Sequence, residues 1–535
     1  MGLWAVGALG LLGLAWQLGW LRSRMARRGA GLAALVAVAV ALPWRGVDFV
    51  LLKRANLLIA LAVLAVVVGH RYALPWIGER RNELCSLAAL AVLSGVVFLN
   101  FFSFHGERTW VHLHDVAHSY LGAKYFPELG YGHLYTAMLR AEAESFDNQF
   151  RALEARDLAA DRVVPVRELL AQSDPVKAAF SPVRWRQFQI DVAYFRAALG
   201  PHYAAVFVDH GFNPTPVWAA IGGTLSNRVR AGDARGIFLL TLLDPLLLLA
   251  TAALAAWAFG VRATLFAVIH FCILFGATFG WTGGAFLRYL WFFGVAAAVC
   301  LLRRGRPALA GAALGLAAAL RIFPALFLWG TLAAGVAKWI EKRAFPRLEA
   351  RFVSGFAAAG IALVGLAALL PHGLANWSAF AGNLQIHLGT DAENLLGLPA
   401  LLRAGPLSAG VADPALRLLA VLAALVLTAR VAPRIVPESV LLLGALPLLA
   451  AVNVAAYYWI FLALFTLSQA ARLPRLVALF GLETATYALL LFLPHEDAIY
   501  PYRTLLLAFV LASFAIADLA VSRGSPVSSG GVEVL

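Results

Sequence analysis

The chain has 535 residues, of which 61% are hydrophobic and only 13% charged, and its mean hydropathy is +0.79. Soluble domains carry about 25% charged residues, and apolar runs here recur at the roughly 17–25 residues that cross a bilayer; both exclude a soluble globular protein, and the continuity of the runs excludes a β-barrel. The net charge of +14 sits in short basic loops, as the positive-inside rule predicts, and is not the footprint of a nucleic-acid partner.

The sequence therefore predicts an all-α, polytopic bundle of about 12–15 transmembrane helices with one large extracytoplasmic helical insertion. Residues 1–103 form an N-terminal group, with helices near 3–21, 29–44, 54–70 and 84–103. The first has no basic residue before it and Arg22, Arg24, Arg27 and Arg28 after it, which reads as an uncleaved helix with its N-terminus outside. An outer domain, 104–235, follows. Its middle reads as amphipathic helices over 144–162, 164–172 and 183–199, lying on the membrane surface or capping the bundle mouth. The core, 236–522, is expected to hold helices near 237–258, 263–279, 286–302, 307–320, 323–338, 352–371, 415–432, 438–455, 457–471, 476–494 and 504–522. Within it, 307–338 reads as a tight hairpin with Arg321 and Pro324 at the outer tip, and 371–414 as an outer loop. The residues 523–535 read as a disordered cytoplasmic tail. Cys85, Cys272 and Cys300 lie in apolar runs without pairing or metal spacing.

The richest stretch for chemistry is HLHDVAHSYLGAKYFPELGYGHLY, His112 to Tyr135. Ionisable groups gathered at a membrane surface are costly to desolvate and call for a reason. On a helix, His112, Asp115 and Ser119 share a face with His118 close by. Asp115 suits a general base tuned by its neighbours; the alternative is a helix cap or a surface carboxylate paired with Lys124 or Arg108. His112, His114 and His118 are ligand types at plausible spacing, but the run does not match HExxH and there is no second histidine box. The expectation is thus substrate-binding histidines and no cofactor, with a divalent metal as the less favoured reading. Lys124, flanked by Tyr125, is read as a phosphate ligand or a snorkelling lysine.

A second group is VDHGFNPTPVW, where Asp209, His210 and Asn213 precede a proline-rich turn. Asp209 is a candidate second carboxylate that orients acceptor or metal, or simply a cap. Arg321 in LRIFPALF, Arg288 after WTGG, and Arg503 in HEDAIYPYR are read as arginines reaching one outer pocket to hold an anionic lipid-linked substrate, against a snorkelling role. Asn383, His387 and Asn394 in the outer loop are candidate sugar-hydroxyl partners or ordinary loop polarity. Tyr457, Tyr458 and Trp459 are read as an interfacial aromatic belt, the alternative being a wall of the sugar site.

From about residue 84 to 510 this pattern resembles the GT-C superfamily of integral membrane glycosyltransferases, and most of all its polyprenyl-phosphate-mannose/arabinose-dependent branch. Asp115 matches the catalytic aspartate of that family's first large outer loop, Arg321 with Pro324 its basic-proline hairpin, and Asn383, Asn394, Gly397 and Leu398 its Asn- and Gly-Leu-bearing outer loop. The resemblance implies an inverting transfer of a sugar from a polyprenyl-phosphate donor to a glycan, glycolipid or protein acceptor on the outer face. Asp115 would act as base and arginines would stabilise the departing phosphate. The bilayer and the lipid-linked donor would be the partners, in the cytoplasmic membrane of a bacterium with the site facing the periplasm; the Ala-, Leu-, Arg- and Gly-rich composition fits a high-GC genome. The competing classes are a transporter or lipid flippase, and another lipid-linked glycan ligase or polymerase. A transporter usually shows internal repeats, and none is legible here.

Overall fold

A computed structural model describes residues 49–72, 80–106, 109–146, 149–230, 232–344, 346–389, 394–404, 412–470 and 472–521. The expected helices 3–21 and 29–44, the tail 523–535, and Asp391 and Glu393 of the outer loop lie outside the described residues.

Among the described residues, eight helices are long and apolar enough to cross a membrane: Phe49–Arg71, Arg80–Phe98, Ala234–Phe259, Phe323–Lys342, Arg347–Ala367, Pro414–Arg434, Leu473–Leu490 and Glu496–Ala520. Shorter apolar helices run over Val261–Ile273, Leu290–Arg303, Pro307–Leu320 and Pro437–Ala451. The chain is an all-α, multi-pass membrane protein. The expected hairpin 307–338 is two helices interrupted at Arg321, which adopts an extended backbone (φ −145°, ψ 123°), followed by a 3-10 turn over Phe323–Phe327. Pro324 accounts for the break, since it offers no N–H and clashes with a continuing helix.

Small residues decide how closely the helices approach. Gly311 and Gly315 stand one turn apart on Pro307–Leu320 and face the helix Arg347–Ala367. A Cβ on Gly311 would fall onto the Phe352 carbonyl, and one on Gly355 onto that of Ala308, so the two backbones touch. Lipid tails are as apolar as leucine, and close van der Waals packing of this kind is what associates helices in a bilayer.

The polar insertion packs into a hydrophobic core continuous with that of the bundle. Its principal helices are Leu113–Lys124, Leu134–Ser145, Pro182–Leu199 and Pro216–Ser226. Pro182–Leu199 buries Trp185, Phe188, Val192 and Phe195, spaced three or four apart, and packs against the first two of those helices. That apolar face is therefore used within the protein and not left for the membrane surface. Two polar contacts reinforce it, one buried and one half-buried: Lys124 Nζ lies 2.7 Å from Asp191 Oδ2, and Arg184 Nε 2.7 Å from Glu128 Oε1. The amphipathic helix expected over 144–162 is instead largely a hairpin, with Glu154–Asp157 paired antiparallel to Arg162–Pro165. The Asp157 carboxylate accepts from the amides of Ala159 and Ala160 (3.0 and 3.4 Å), and Asp161 turns left-handed at φ 50°. Local side-chain-to-backbone bonds of this kind compete directly with a helix.

The connections that follow alternate crossings meet at one end of the bundle. There His112 N donates to Gly284 O (2.9 Å), Thr215 Oγ1 to Ala319 O (2.6 Å), and Asn383 Nδ2 to Asn213 Oδ1 (3.1 Å).

Candidate functional site

The site grows from how two connections are pinned. The segment Thr109–His112 enters the helix Leu113–Lys124 alongside the turn Gly283–Tyr289. Gly284 is left-handed at φ +64°, and an added Cβ would collide with the Trp110 carbonyl, so only glycine admits this approach. Asp244 holds the far side of the turn, its two oxygens accepting from the amides of Arg288 (3.1 Å) and Tyr289 (3.2 Å). Trp218 Nε1 donates to Leu287 O (3.3 Å). With the turn held, Arg288 Nη2 donates to Asp115 Oδ1 in a short ion pair, the side chains 16% and 27% exposed. Asp115 is thus neither a helix cap nor a partner of Lys124.

The electrostatics follow from that pairing. Burial pushes the Asp115 carboxyl up, but Arg288, with His112 and His118, outweighs it and holds it below the ordinary carboxylate range. Burial drives His112 down to about 3, so this imidazole is neutral at any physiological pH. His105 is lowered in the same way, and its ring stacks on His112 at 4.5 Å while its Nε2 sits 3.0 Å from Gly283 O.

Beside Asp115 on the same helix, His114 Nε2 is 2.9 Å from Asp209 Oδ2, and one turn further on His118 Nδ1 is 4.0 Å from the same oxygen. Burial lowers His118. Burial raises Asp209, but the His114 hydrogen bond and nearby His118 bring it far below the usual carboxylate value. These three are the residues here that could hold a metal ion, since their ligand atoms all lie within 4.8 Å of one another. Asp209 belongs to the second sequence group, whose neighbours meet the outer loop. His210 Nδ1 lies 3.2 Å from Asp161 Oδ1, which Arg156 also binds at 2.9 Å. The rings of His210 and His387 meet edge to face at 5.4 Å, and Asn213 accepts from Asn383. Five candidates from two stretches 170 residues apart, Asp209, His210 and Asn213 with Asn383 and His387, thus form one wall.

A second wall, beyond the Asp115–Arg288 pair, is cationic and aromatic. Arg288 lies 5.2 Å from the Tyr457 ring centroid and Arg321 5.4 Å from that of Tyr458, while the two tyrosine rings are 4.5 Å apart. Tyr457 and Tyr458 are therefore not a membrane belt but a bridge between two arginines. Arg321 Nε is buried without a hydrogen-bond partner. Next to this wall opens a small cleft lined by Phe98, Phe275, Trp281, Tyr457, Tyr487 and Tyr500, with Lys53, Asn394 and Glu496 among its polar groups. The chain turns into it through Asn100, Phe101 and Phe102, all left-handed (φ 52°, 53° and 63°), and Asn100 Nδ2 donates to Phe104 O at 2.7 Å. Non-glycine residues in that conformation are strained, and such strain gathers at functional sites.

Three expected substrate contacts are placed elsewhere. Lys124 and Tyr125 are buried inside the insertion, Lys124 Nζ and Tyr125 Oη both bound to Asp191 at 2.7 and 2.9 Å, so neither is a snorkelling residue or a phosphate ligand. Arg503 is fully buried in the bundle, its guanidinium 2.7 Å from Glu483 Oε1 and 2.7 Å from Thr486 Oγ1. A charge this deep needs a carboxylate partner, and Glu483 occupies it. Asn394 contributes its carbonyl to Ala456 N (2.9 Å) and lines the cleft.

Sequence reasoning missed His105, Gly284, Tyr135 and the bracing role of Asp244. The signal for Gly284 was present as the Gly-Gly pair before Arg288; Tyr135 had none, since only the fold brings it to His118. No protein-family model, no curated protein and no solved structure matches this chain.

Proposed function

We propose that this protein is a membrane glycosyltransferase that moves a sugar from a polyprenyl-phosphate donor to an acceptor hydroxyl on the extracytoplasmic side. The observation that carries the reading is the half-buried Asp115–Arg288 pair, with Arg288 on the ring of Tyr457, which lines an apolar cleft, and Arg321 across the Tyr457–Tyr458 bridge. A polyprenyl tail suits the aromatic cleft, and a lipid phosphate suits two guanidinium groups, which bind phosphate oxygens bidentately. The wall of Asn213, Asn383, His210 and His387 offers hydroxyl partners for a sugar or acceptor.

In this mechanism the acceptor hydroxyl gives its proton to Asp115, and its oxygen forms a bond to the anomeric carbon. The bond from that carbon to the phosphate oxygen breaks, the electron pair leaves with the phosphate, and the configuration inverts. Arg288 and Arg321 stabilise the charge that develops on the phosphate. The pairing with Arg288 makes Asp115 a weak base before the donor arrives. A phosphate that draws the guanidinium away leaves burial dominant and raises the basicity of Asp115 once the donor is bound.

The test is transfer of radiolabelled sugar from polyprenyl-phosphate donors to membrane acceptors by the purified protein and by Asp115→Asn. Transfer by wild type, and its loss in a folded Asp115→Asn protein that still binds donor, supports the reading. Equal transfer by both removes Asp115 from the role of base. No transfer with any donor, together with movement of a labelled lipid across liposomes, replaces the transferase with a flippase.

A further inference from the structure

We propose that His114, His118 and Asp209 form a binding site for a first-row divalent cation, with Zn2+ as its best-suited occupant. The inference stands on the geometry of these three side chains and does not depend on the glycosyltransferase reading.

His114 and His118 stand four residues apart, so they project from one face of the helix Leu113–Lys124. Asp209 reaches them from the segment beyond the 3-10 helix Gly200–Val208, and its Oδ2 is the oxygen nearest to both rings. In a tetrahedral site with ligands about 2.1 Å from zinc, neighbouring ligand atoms lie about 3.4 Å apart. The observed separations of 2.9 Å and 4.0 Å from Asp209 Oδ2 bracket that value. Shifts of roughly half an ångström, within ordinary side-chain freedom, bring the two Asp209 pairs to the metal distance, and the third pair, His114 with His118, lies within 4.8 Å.

Each ligand is oriented from behind. His118 Nε2 is 2.8 Å from the Tyr135 hydroxyl and 3.2 Å from the Val206 carbonyl. A carbonyl only accepts, so the proton sits on Nε2 and the lone pair of Nδ1 faces Asp209. Positive charge between that lone pair and the carboxylate, from a metal ion or from a proton on Nδ1, relieves their repulsion, and metal titration distinguishes the two. Asp209 Oδ1 is occupied by the His210 amide at 2.7 Å, which leaves Oδ2 for the centre. Outer partners that fix the ring and the carboxylate in this way are the rule around protein-bound metals.

The donor set also selects the ion. Two imidazoles and one carboxylate suit zinc and its first-row neighbours better than calcium or magnesium, which prefer all-oxygen shells. The His114 and Asp209 side chains are 32% and 45% exposed, and His118 only 9%. The ion would therefore be anchored from below and open to solvent above, and a site with three protein ligands keeps a position free for water or an oxygen of the substrate.

The experiment uses the full-length protein in detergent, stripped with chelator and titrated with Co2+ and with Zn2+. Wild type should take up one Co2+ per chain with visible absorption bands of low-symmetry cobalt, displaced by Zn2+, and Zn2+ should raise its melting temperature with concentration. His114→Gln and Asp209→Asn change half-exposed side chains that the fold tolerates; each should weaken binding by about 100-fold or more and abolish the zinc-dependent rise in melting temperature. Tyr135→Phe, which touches no ion, should weaken it by about 10–100-fold. His202→Gln, at an exposed histidine of the same insertion, should bind as wild type does. No stoichiometric uptake by wild type, or uptake unchanged in both His114→Gln and Asp209→Asn, overturns the site and leaves a plain histidine–carboxylate hydrogen bond.

Discussion

Lys124→Met removes the ammonium that neutralises Asp191 inside the insertion. The pair is 2.7 Å apart with side chains 7% and 4% exposed, so water cannot replace the lost partner. Breaking a buried pair by deleting one member destabilises by about 3–5 kcal/mol, because the remaining charge is uncompensated. Tyr125 still donates to Asp191 Oδ2 at 2.9 Å, which places the expected loss near the lower end, about 3 kcal/mol. At 1.4 kcal/mol per tenfold, that raises the open population of the insertion by roughly 100-fold. Limited proteolysis under conditions where opening is fast relative to cleavage reads this population directly. Asp191→Asn in the same chain removes the buried negative charge and keeps the Tyr125 contact. The double variant should recover to within about 1 kcal/mol of wild type, a coupling that only interacting residues show. Cleavage rates that rise less than threefold in Lys124→Met, or that add without coupling in the double variant, refute the structural role. Sugar transfer separates the alternative: a Lys124 that bound donor phosphate would leave the double variant stable but inactive.

Activity that needs the Asp115 carboxylate ionised is lost as pH falls through its pKa. Because Arg288 holds that pKa below the ordinary range, the acid limb of kcat/KM should lie below that of an ordinary carboxylate in wild type and move to higher pH in Arg288→Met, where burial has lost its main opponent; an unmoved limb in the variant contradicts the pairing. Gly284→Ala should disrupt the turn that carries Arg288, through both the left-handed backbone, about 1–2 kcal/mol, and the collision with the Trp110 carbonyl. Its melting temperature should fall and Asp115-dependent transfer with it, whereas wild-type values for both would show that the turn tolerates a side chain. Arg503→Met leaves Glu483 buried without its partner and should lower stability in detergent by about 3–5 kcal/mol, largely restored by adding Glu483→Gln; a phosphate-binding arginine would instead show a raised KM in a stable protein.

Much of the fold was legible because a bilayer imposes a length. A helix must carry about twenty apolar residues to span it, so the runs 54–70, 237–258 and 504–522 announced helices that the structure extends by only a few residues. The break at Arg321 was legible too, because proline ends helices by steric necessity. The stretch 144–162 was not. Its periodicity resembled an amphipathic helix, and the turn bonds of Asp157 prevailed. Charged residues were the hardest to read: Arg288, Arg321 and Arg503 look alike in sequence, each a cation beside an apolar run.

What the sequence determined by itself is everything that depends on local chemistry. Apolar run length made this a polytopic helical bundle, and prolines and left-handed turns ended its elements. Asp115, His114, His118 and Arg288 stood out as ionisable groups where desolvation is expensive. What only the tertiary structure decided is partnership. Asp115 faces Arg288 across 173 residues of chain and Asp209 faces His114 across 95, while Arg503 is claimed by Glu483 and Lys124 by Asp191. A charge acquires its role from the group a few ångströms away, since Coulomb and hydrogen-bond energies fall with distance in space and are blind to distance along the chain.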